Sequence, residues 1–295
     1  MMAKPSRQKI LVAMPAYNEA RYIGSVVLKA KQHADEVIVL DDGSTDDTSE
    51  IARLAGATVI RHQKNKGYGA AIQSLLAEAK RKNPDILVLL DADAQHNPDE
   101  IPSLIKPVIS GSSDLVVGSR KQQRGKIPAY RRTGLRVLSY FSGILSKEKL
   151  SDSESGFRVF SRKAITVLEP RENGMAISAE TIADAAAKGL KITEVPISIA
   201  YTEDSSTLNP VRHGLGVLYR IVAMISERRP LFFFGVGGGI LVALGGIAAI
   251  RTLYIFSNQG TLPPGNALLS VLFLTIGVFS IFTGIILHTL ANRQR

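Results

Sequence analysis

Ile86-Leu87-Val88-Leu89-Leu90 runs without interruption into Asp91-Ala92-Asp93-Ala94-Gln95. Five apolar residues entered from Asn83-Pro84-Asp85 are too few for a helix and do not alternate. They read as a strand buried on both faces, as in a parallel sheet. In open α/β sheets ligands collect in the crevice beyond the carboxyl ends of the strands, so Asp91 and Asp93 stand where a ligand is expected. Positions i and i+2 of an extended chain point the same way, which turns both carboxylates toward one divalent cation. Ala92 between them is small enough for a diphosphate to approach. Acids of this kind also end strands or cap a following helix, here one starting near Pro98, so the reading depends on its companions.

The segments on either side repeat a strand–turn–helix pattern. Lys9–Met14 is a strand ending in Pro15-Ala16-Tyr17-Asn18-Glu19, and Ala20–Ala34 carries helical spacing through Ile23, Val26, Val27 and Ala30. Glu36–Leu40 ends in Asp41-Asp42-Gly43-Ser44-Thr45-Asp46. Ser44 or Thr45 can cap the next helix, which would hold Asp46 and Asp47 in its first turn as dipole partners and stop at Gly56. Ala57–Arg61 leads into Asn65-Lys66-Gly67-Tyr68-Gly69 and a helix from Ala70 to about Lys82. Glycines there admit a ligand to free backbone N–H groups, and Lys66 adds a charge. A helix from about Pro98 to Ser110 then precedes a fifth strand, Asp114–Gly118. Four such repeats with short links imply right-handed crossovers and a mostly parallel sheet.

Two nucleotide-binding loops are missing. No Gly-x-Gly-x-x-Gly follows the first strand, and Gly125-Lys126 is followed by Ile127 with Arg120 where a P-loop needs its first Gly. Rossmann dehydrogenase and P-loop chemistry are thereby disfavoured. The chain has no cysteine, which excludes disulfides and thiolate metal sites. Its first residues lack an apolar run, so no secretory signal is expected. Of the net charge of +10, much is concentrated: nine basic residues face Glu148 alone between Arg120 and Lys149, and four Arg face Glu227 between Ser205 and Pro230. Both stretches interleave the charges with apolar residues, which suits an anionic membrane surface; no nucleic-acid-binding motif accompanies them, and no nucleic-acid partner is expected.

The motifs above occur in the order and rough spacing of family 2 inverting glycosyltransferases with the GT-A fold. Val117-Gly118-Ser119-Arg120, Tyr130-Arg131, Ser155-Gly156-Phe157-Arg158 and Glu194-Val195-Pro196 narrow the resemblance to dolichyl-phosphate mannose synthases and polyprenyl-phosphate glucosyltransferases. It spans about residues 9–230. The resemblance implies an α/β GT-A nucleotide-sugar-binding fold and a nucleoside held by Pro15, Tyr17, Glu19, Leu40, Asp42 and Lys66. It implies Asp91, Asp93 and Gln95 as the holders of Mg²⁺ or Mn²⁺ and the diphosphate, and arginines resembling Arg120 and Arg131 for the lipid phosphate and leaving diphosphate. Where mannose synthases can show a Ser four residues after the second Arg, this chain has Leu135.

The expected reaction is inverting transfer of a hexose from a nucleotide diphosphate sugar, of the GDP-mannose or UDP-glucose type, to dolichyl or polyprenyl phosphate. Asp93 is the main expected metal ligand, with Asp91 bonding ribose or completing the shell. A lipid phosphate is already an anionic nucleophile and needs cations rather than a base. Arg120, Arg131 and either Arg132 or Arg212 offer planar forks for it. Asp152 could bond a sugar hydroxyl, Glu180 could equally cap a helix, and His96 and His213 read as structural. The alternative, extension of a polysaccharide or glycolipid, calls in similar synthases for a Gln-x-x-Arg-Trp segment, and this chain has no Trp.

Residues 231–295 contain no acid and only Arg251, Arg293 and Arg295 as basic residues, a membrane composition. Uncharged runs at Leu231–Ile250 and Ala267–Leu290 predict two transmembrane helices, at about 231–254 and 267–290, joined through Pro263-Pro264-Gly265. Segments near 128–145 and 213–229 mix apolar residues at helical spacing with Arg, as interfacial helices in contact with membrane lipids do. Arg228, Arg229, Arg293 and Arg295 on one side against Arg251 opposite place the catalytic domain of residues 1–230 and both termini in the cytoplasm of a multi-pass cell-membrane protein. Glycines at 235, 237, 238, 239, 245 and 246 allow close packing with the second span or with another protomer, a homo-oligomer.

Overall fold

The computed structural model describes residues 8–120, 150, 152–199, 218–226 and 229–293. They form two units, divided between Ile221 and Val222.

The first unit is built on one sheet. Seven described strands lie in the order β3-β2-β1-β4-β6-β5-β7: β1 Ile10–Ala16, β2 Glu36–Asp41, β3 Thr58–Arg61, β4 Ile86–Leu89, β5 Leu115–Ser119, β6 Arg158–Ser161 and β7 Ile192–Pro196. All pairings are parallel except those of β6, which runs antiparallel between β4 and β5. Ile86–Leu89 is thus a central strand, flanked by β1 and β6, and all four of its residues are buried.

Side-chain alternation divides the core in two. On one face Val12, Met14, Val88 and Leu90 pack with Ile23, Val26, Val27 and Ala30 of α1 (Ile23–Ala30), Ala52 of α2 (Thr48–Leu54) and Leu104 of α4 (Ile101–Ile109). On the other, Leu11, Ala13, Leu87 and Leu89 meet α3 (Tyr68–Lys82), α5 (Arg162–Val167) and α6 (Ile177–Ala187). β1, β2, β4 and β5 are therefore apolar on both faces, which produces the uninterrupted runs in the sequence.

Several expected boundaries move. β1 extends through Pro15 and Ala16, which pair in register with Leu40 and Asp41 of β2. The second helix begins at Thr48 rather than at Ser44 or Thr45, because those residues are engaged elsewhere: Ser44 Oγ accepts from the Asn18 N–H and the Thr45 N–H donates to Asn18 Oδ1. Near Pro98 the acids cap nothing. Asn97 Oδ1 accepts from the Asp99 N–H and opens a 3₁₀ turn, Pro98–Glu100, that continues into α4.

In the second unit, α7 (Pro230–Gln259) and α8 (Pro264–Arg293) are each 30 residues long. The turn between them is shorter than expected, and Arg251 lies inside α7, since nothing stops that helix before Gly260, whose φ of +65° ends it. Pro264 starts α8. The glycines pack helix on helix: a Cβ at Gly238 would come 2.6 Å from the Gly277 carbonyl oxygen, and one at Gly245 within 2.8 Å of Leu274. Both helices are long and apolar enough to cross a membrane, with mean hydropathy 2.1 and 2.4 over their most apolar windows.

Candidate active site

The carboxyl ends of β1, β2 and β4 carry the candidate residues. The first two loops are sewn together by reciprocal bonds. Besides the Asn18 contacts, the Glu19 N–H donates to Thr48 Oγ1 at 2.8 Å and the Ala20 N–H to Asp46 Oδ2 at 3.1 Å. Asn18 adopts φ +56°, which Asn tolerates better than most residues. This lacing holds Glu19 at the rim and leaves Tyr17 exposed, while Pro15 and Leu40 are buried in the strands.

Asp42 is buried and fully engaged. Its Oδ1 accepts from His62 Nδ1 at 2.6 Å and the Lys66 N–H at 3.0 Å, and its Oδ2 from the Gly67 N–H at 2.8 Å. It therefore fixes the loop that presents the exposed Lys66. Gly67 and Gly69 differ from the expectation: no N–H of theirs stands free for a ligand. The Gly69 N–H donates to the Asn173 carbonyl at 3.0 Å, and a Cβ on Gly69 would lie 2.3 Å from the Glu172 carbonyl oxygen. The close approach that needs glycine is made by the protein's own 172–173 loop. Glu180 holds that loop from below, accepting from the Arg171 and Glu172 N–H groups at 2.8 and 2.7 Å.

At the end of β4 the extended conformation stops before the acids. The strand ends at Leu89, residues 92–94 bend, and Ala94 has φ +59°. Asp93 Oδ1 accepts from the Gln95 N–H at 2.9 Å, which closes the bend. Ala92 continues the face of Val88 and Leu90 and is buried in their core. Its small size is thus set by packing beneath the site rather than by room for a diphosphate.

Asp91 follows the opposite face. Tyr68 Oη donates to its Oδ1 at 3.2 Å, His96 Nδ1 stands 3.6 Å from its Oδ2, and a Cβ on Gly156 would fall 2.1 Å from that same oxygen. Arg158, opposite Leu89 in the ladder, is buried and donates to the carbonyls of Ser155, Ser178 and Ser153 at 2.9, 2.8 and 2.6 Å. The contacts of Tyr68, His62 and Gly156 are not legible in the sequence, since each partner lies 20 or more positions away; Arg158 reaches Ser178 across 20 positions.

Arg120, the last described residue before position 150, is turned onto Asp152: Nε and Nη2 donate to its two oxygens at 2.5 Å each, and the Arg120 N–H to Oδ2 at 3.1 Å. Asp152 and Arg120, expected to serve sugar and phosphate separately, are here a bidentate pair. Arg131 and Arg212, with Arg132, Leu135, His213 and the interfacial segment near 128–145, lie outside the described residues, as do residues 213–217 and 227–228 of the segment near 213–229; residues 218–226 of it are helical.

Charge accumulates around the bend. Burial raises the carboxyl pKa values of Asp91 and Asp93, and the charge of Asp91 raises that of Asp93 further. Burial, then the charges of Asp93, Asp46 and Asp91, lift Glu19 to about 7. Burial lowers His96 to about 4 and keeps it neutral near pH 7. Negative groups gathered this way suit a divalent cation with oxygen ligands. Among the described residues no three His, Asp or Glu side chains converge as a metal cage. Two carboxylates with a diphosphate and water would complete such a shell, as hard cations of Mg²⁺ type accept. A cavity of about 350 Å³ adjoins this bend, bounded by Gln95, His96, Ser25, Lys29 and Ile199.

The sequence pattern of Glycosyl transferase family 2 matches residues 11–168, more than half of the chain, from the second residue of β1 through the whole of β6. The chain belongs to glycosyl transferase family 2. This glycosyltransferase is 34% identical over 239 residues to the UDP-N-acetylglucosamine–dolichyl-phosphate N-acetylglucosaminyltransferase of Methanococcus voltae, covering 73% of this chain and 95% of the relative. It is 30% identical to a dolichyl-phosphate hexose transferase of Haloferax volcanii, over 75% of this chain and 95% of that one. Among solved structures, it resembles Mycobacterium tuberculosis glucosyl-3-phosphoglycerate synthase in complex with Mn²⁺ and UDP-glucose, with TM-score 0.61 and 25% identity, over 75% of this chain and 79% of that one.

Proposed function

We propose that this glycosyltransferase moves a hexose from a nucleotide diphosphate sugar, of the UDP-glucose or GDP-mannose type, to dolichyl or polyprenyl phosphate at a membrane. The observation that carries the donor half is the gathering of Asp91, Asp93 and Glu19 at the ends of β1 and β4, an arrangement that suits a cation shared with a diphosphate. The acceptor half draws support from the relatives named for dolichyl phosphate and from two helices of membrane-spanning length.

In this reading Asp91 and Asp93 hold Mg²⁺ or Mn²⁺, which when bound offsets the charge that develops on the leaving diphosphate. Asp42 orders the 65–67 loop, so that Lys66 and the exposed Tyr17 flank the nucleoside. The acceptor phosphate is already anionic and needs no base. Its oxygen attacks the anomeric carbon as the bond to the diphosphate breaks, and the configuration inverts. Arg120, oriented by Asp152, supplies a positive fork that a phosphate reaches by competing with that carboxylate. The multi-pass anchor of residues 231–295, with the catalytic domain and both termini cytoplasmic, would hold the enzyme where its lipid acceptor resides.

The test is a panel of UDP- and GDP-sugars offered with dolichyl phosphate to the purified enzyme, with the glycolipid read by mass spectrometry. One donor should give a lipid-phosphate hexose, and Asp93→Ala or EDTA should abolish it. Product formation undiminished in EDTA would overturn the metal role. A growing oligosaccharide ladder in place of a single transfer would favour chain extension.

A further inference from the structure

Asp91 is enclosed on three sides by groups that carry no formal charge. Tyr68, from the first turn of α3, donates its hydroxyl to Oδ1 at 3.2 Å. His96, from the bend beyond Gln95, is buried; its Nδ1 has no hydrogen-bond partner and faces Oδ2 at 3.6 Å. Gly156 closes the third side, since any Cβ there would overlap Oδ2 at 2.1 Å. Each comes from a different segment, 23, 5 and 65 positions away along the chain, yet all meet one carboxylate. The positive charges of Arg120 and Arg158 act on Asp91 and favour its ionised form, while the phenol and the imidazole fix its rotamer without adding to the charge.

We propose that Tyr68 and His96 are positioning residues, which act through Asp91 to hold its carboxylate in the orientation that receives the metal and diphosphate, with Gly156 as the opening that lets the carboxylate lie there. The inference rests on the reading of Asp91 as a metal-site carboxylate. Helix α3 thereby serves the site through its first side chain, Tyr68, while the Gly69 N–H that might have met a ligand is taken by the 172–173 loop.

The experiment titrates Mn²⁺ against UDP binding, measured by calorimetry on the full-length protein in detergent, with thermal melting recorded for every variant. Tyr68→Phe keeps the ring and removes only the hydroxyl. It should raise the Mn²⁺ concentration needed for half-maximal UDP binding on the order of 10- to 100-fold, the usual cost of losing an outer-shell partner, while metal-free UDP affinity stays the same. His96→Gln should do likewise. His96→Asn, whose amide nitrogen can take the place of Nδ1, should recover most of the loss, and a merely structural histidine would show no such difference at equal melting temperature. Asp91→Asn is the reference. If it leaves the Mn²⁺ dependence unchanged, the reading of Asp91 fails. If it abolishes that dependence while Tyr68→Phe and His96→Gln match the parent, the positioning role is overturned and the site reading stands.

Discussion

Burial holds the Glu154 carboxyl at about 7, well above its ordinary value of 4.5, against the pull of the Arg158 guanidinium and with the added push of Asp152. A carboxyl whose folded pKa is raised contributes stability that is present below the unfolded pKa and lost as pH rises through the folded one. Glu154 should therefore cost the protein stability progressively between pH 4.5 and about 7. Glu154→Gln removes that titration, so the melting-temperature gain over the parent should be small at pH 5 and larger at pH 8. A difference that is flat or shrinks with pH would show that the side chain is solvated. At this scale the sequence displayed Asp91 and Asp93, because an acid after an apolar strand has few structural uses. Tyr68 and Gly156 stood in motifs, but their contact with Asp91 was not legible, because only the fold brings them to it. Small residues misled for a related reason: Ala92 and Gly69 mark close approach, but a sequence does not say whether ligand or protein approaches.

Strands were legible at the scale of elements and helix ends were not. The five strands read before residue 120 are all present, and four of them, all but the half-exposed β3, are buried on both faces and leave apolar runs of their own. Helix starts depend on which polar side chain wins a backbone N–H, and the lacing of Asn18, Ser44, Thr45 and Thr48 across two loops settles that non-locally. β6 was also unread, because its four residues pair antiparallel within an otherwise parallel sheet and follow no helix of their own pattern. The junction of α3 with the 172–173 loop gives a prediction. Gly69→Ala should gain about 1 kcal/mol from helix propensity alone. Its Cβ would meet backbone atoms of Glu172 and Asn173 at 2.3–2.4 Å, which cannot rotate away. Overpacking of this kind costs about 1–3 kcal/mol. Urea denaturation should therefore show a net loss of stability, whereas a stabilised variant would mean that the loop yields freely.

For the whole molecule, the two sheet-borne cores draw their buried residues from Leu11 to Ile197 and none from α7 or α8. The α7 and α8 pair is joined by its own contacts: Gly238 on Gly277, Gly245 on Leu274, and Ser280 Oγ donating to the Phe234 carbonyl at 3.0 Å. We therefore expect the nucleotide site to form without the apolar helices. We predict that a fragment ending at Arg229, kept in mild detergent, melts cooperatively and binds UDP or GDP with divalent metal as tightly as the full chain. Transfer should separate by acceptor. A short, water-soluble polyprenyl phosphate should be glycosylated by fragment and full chain at similar kcat/KM, whereas long-chain dolichyl phosphate in vesicles should be used well only by the full chain, since anchoring raises the local concentration of enzyme at the lipid surface. Equal use of vesicle-borne acceptor would mean that residues 1–229 reach the membrane unaided. Loss of nucleotide binding in a fragment that still melts cooperatively would mean that the helices shape the site itself.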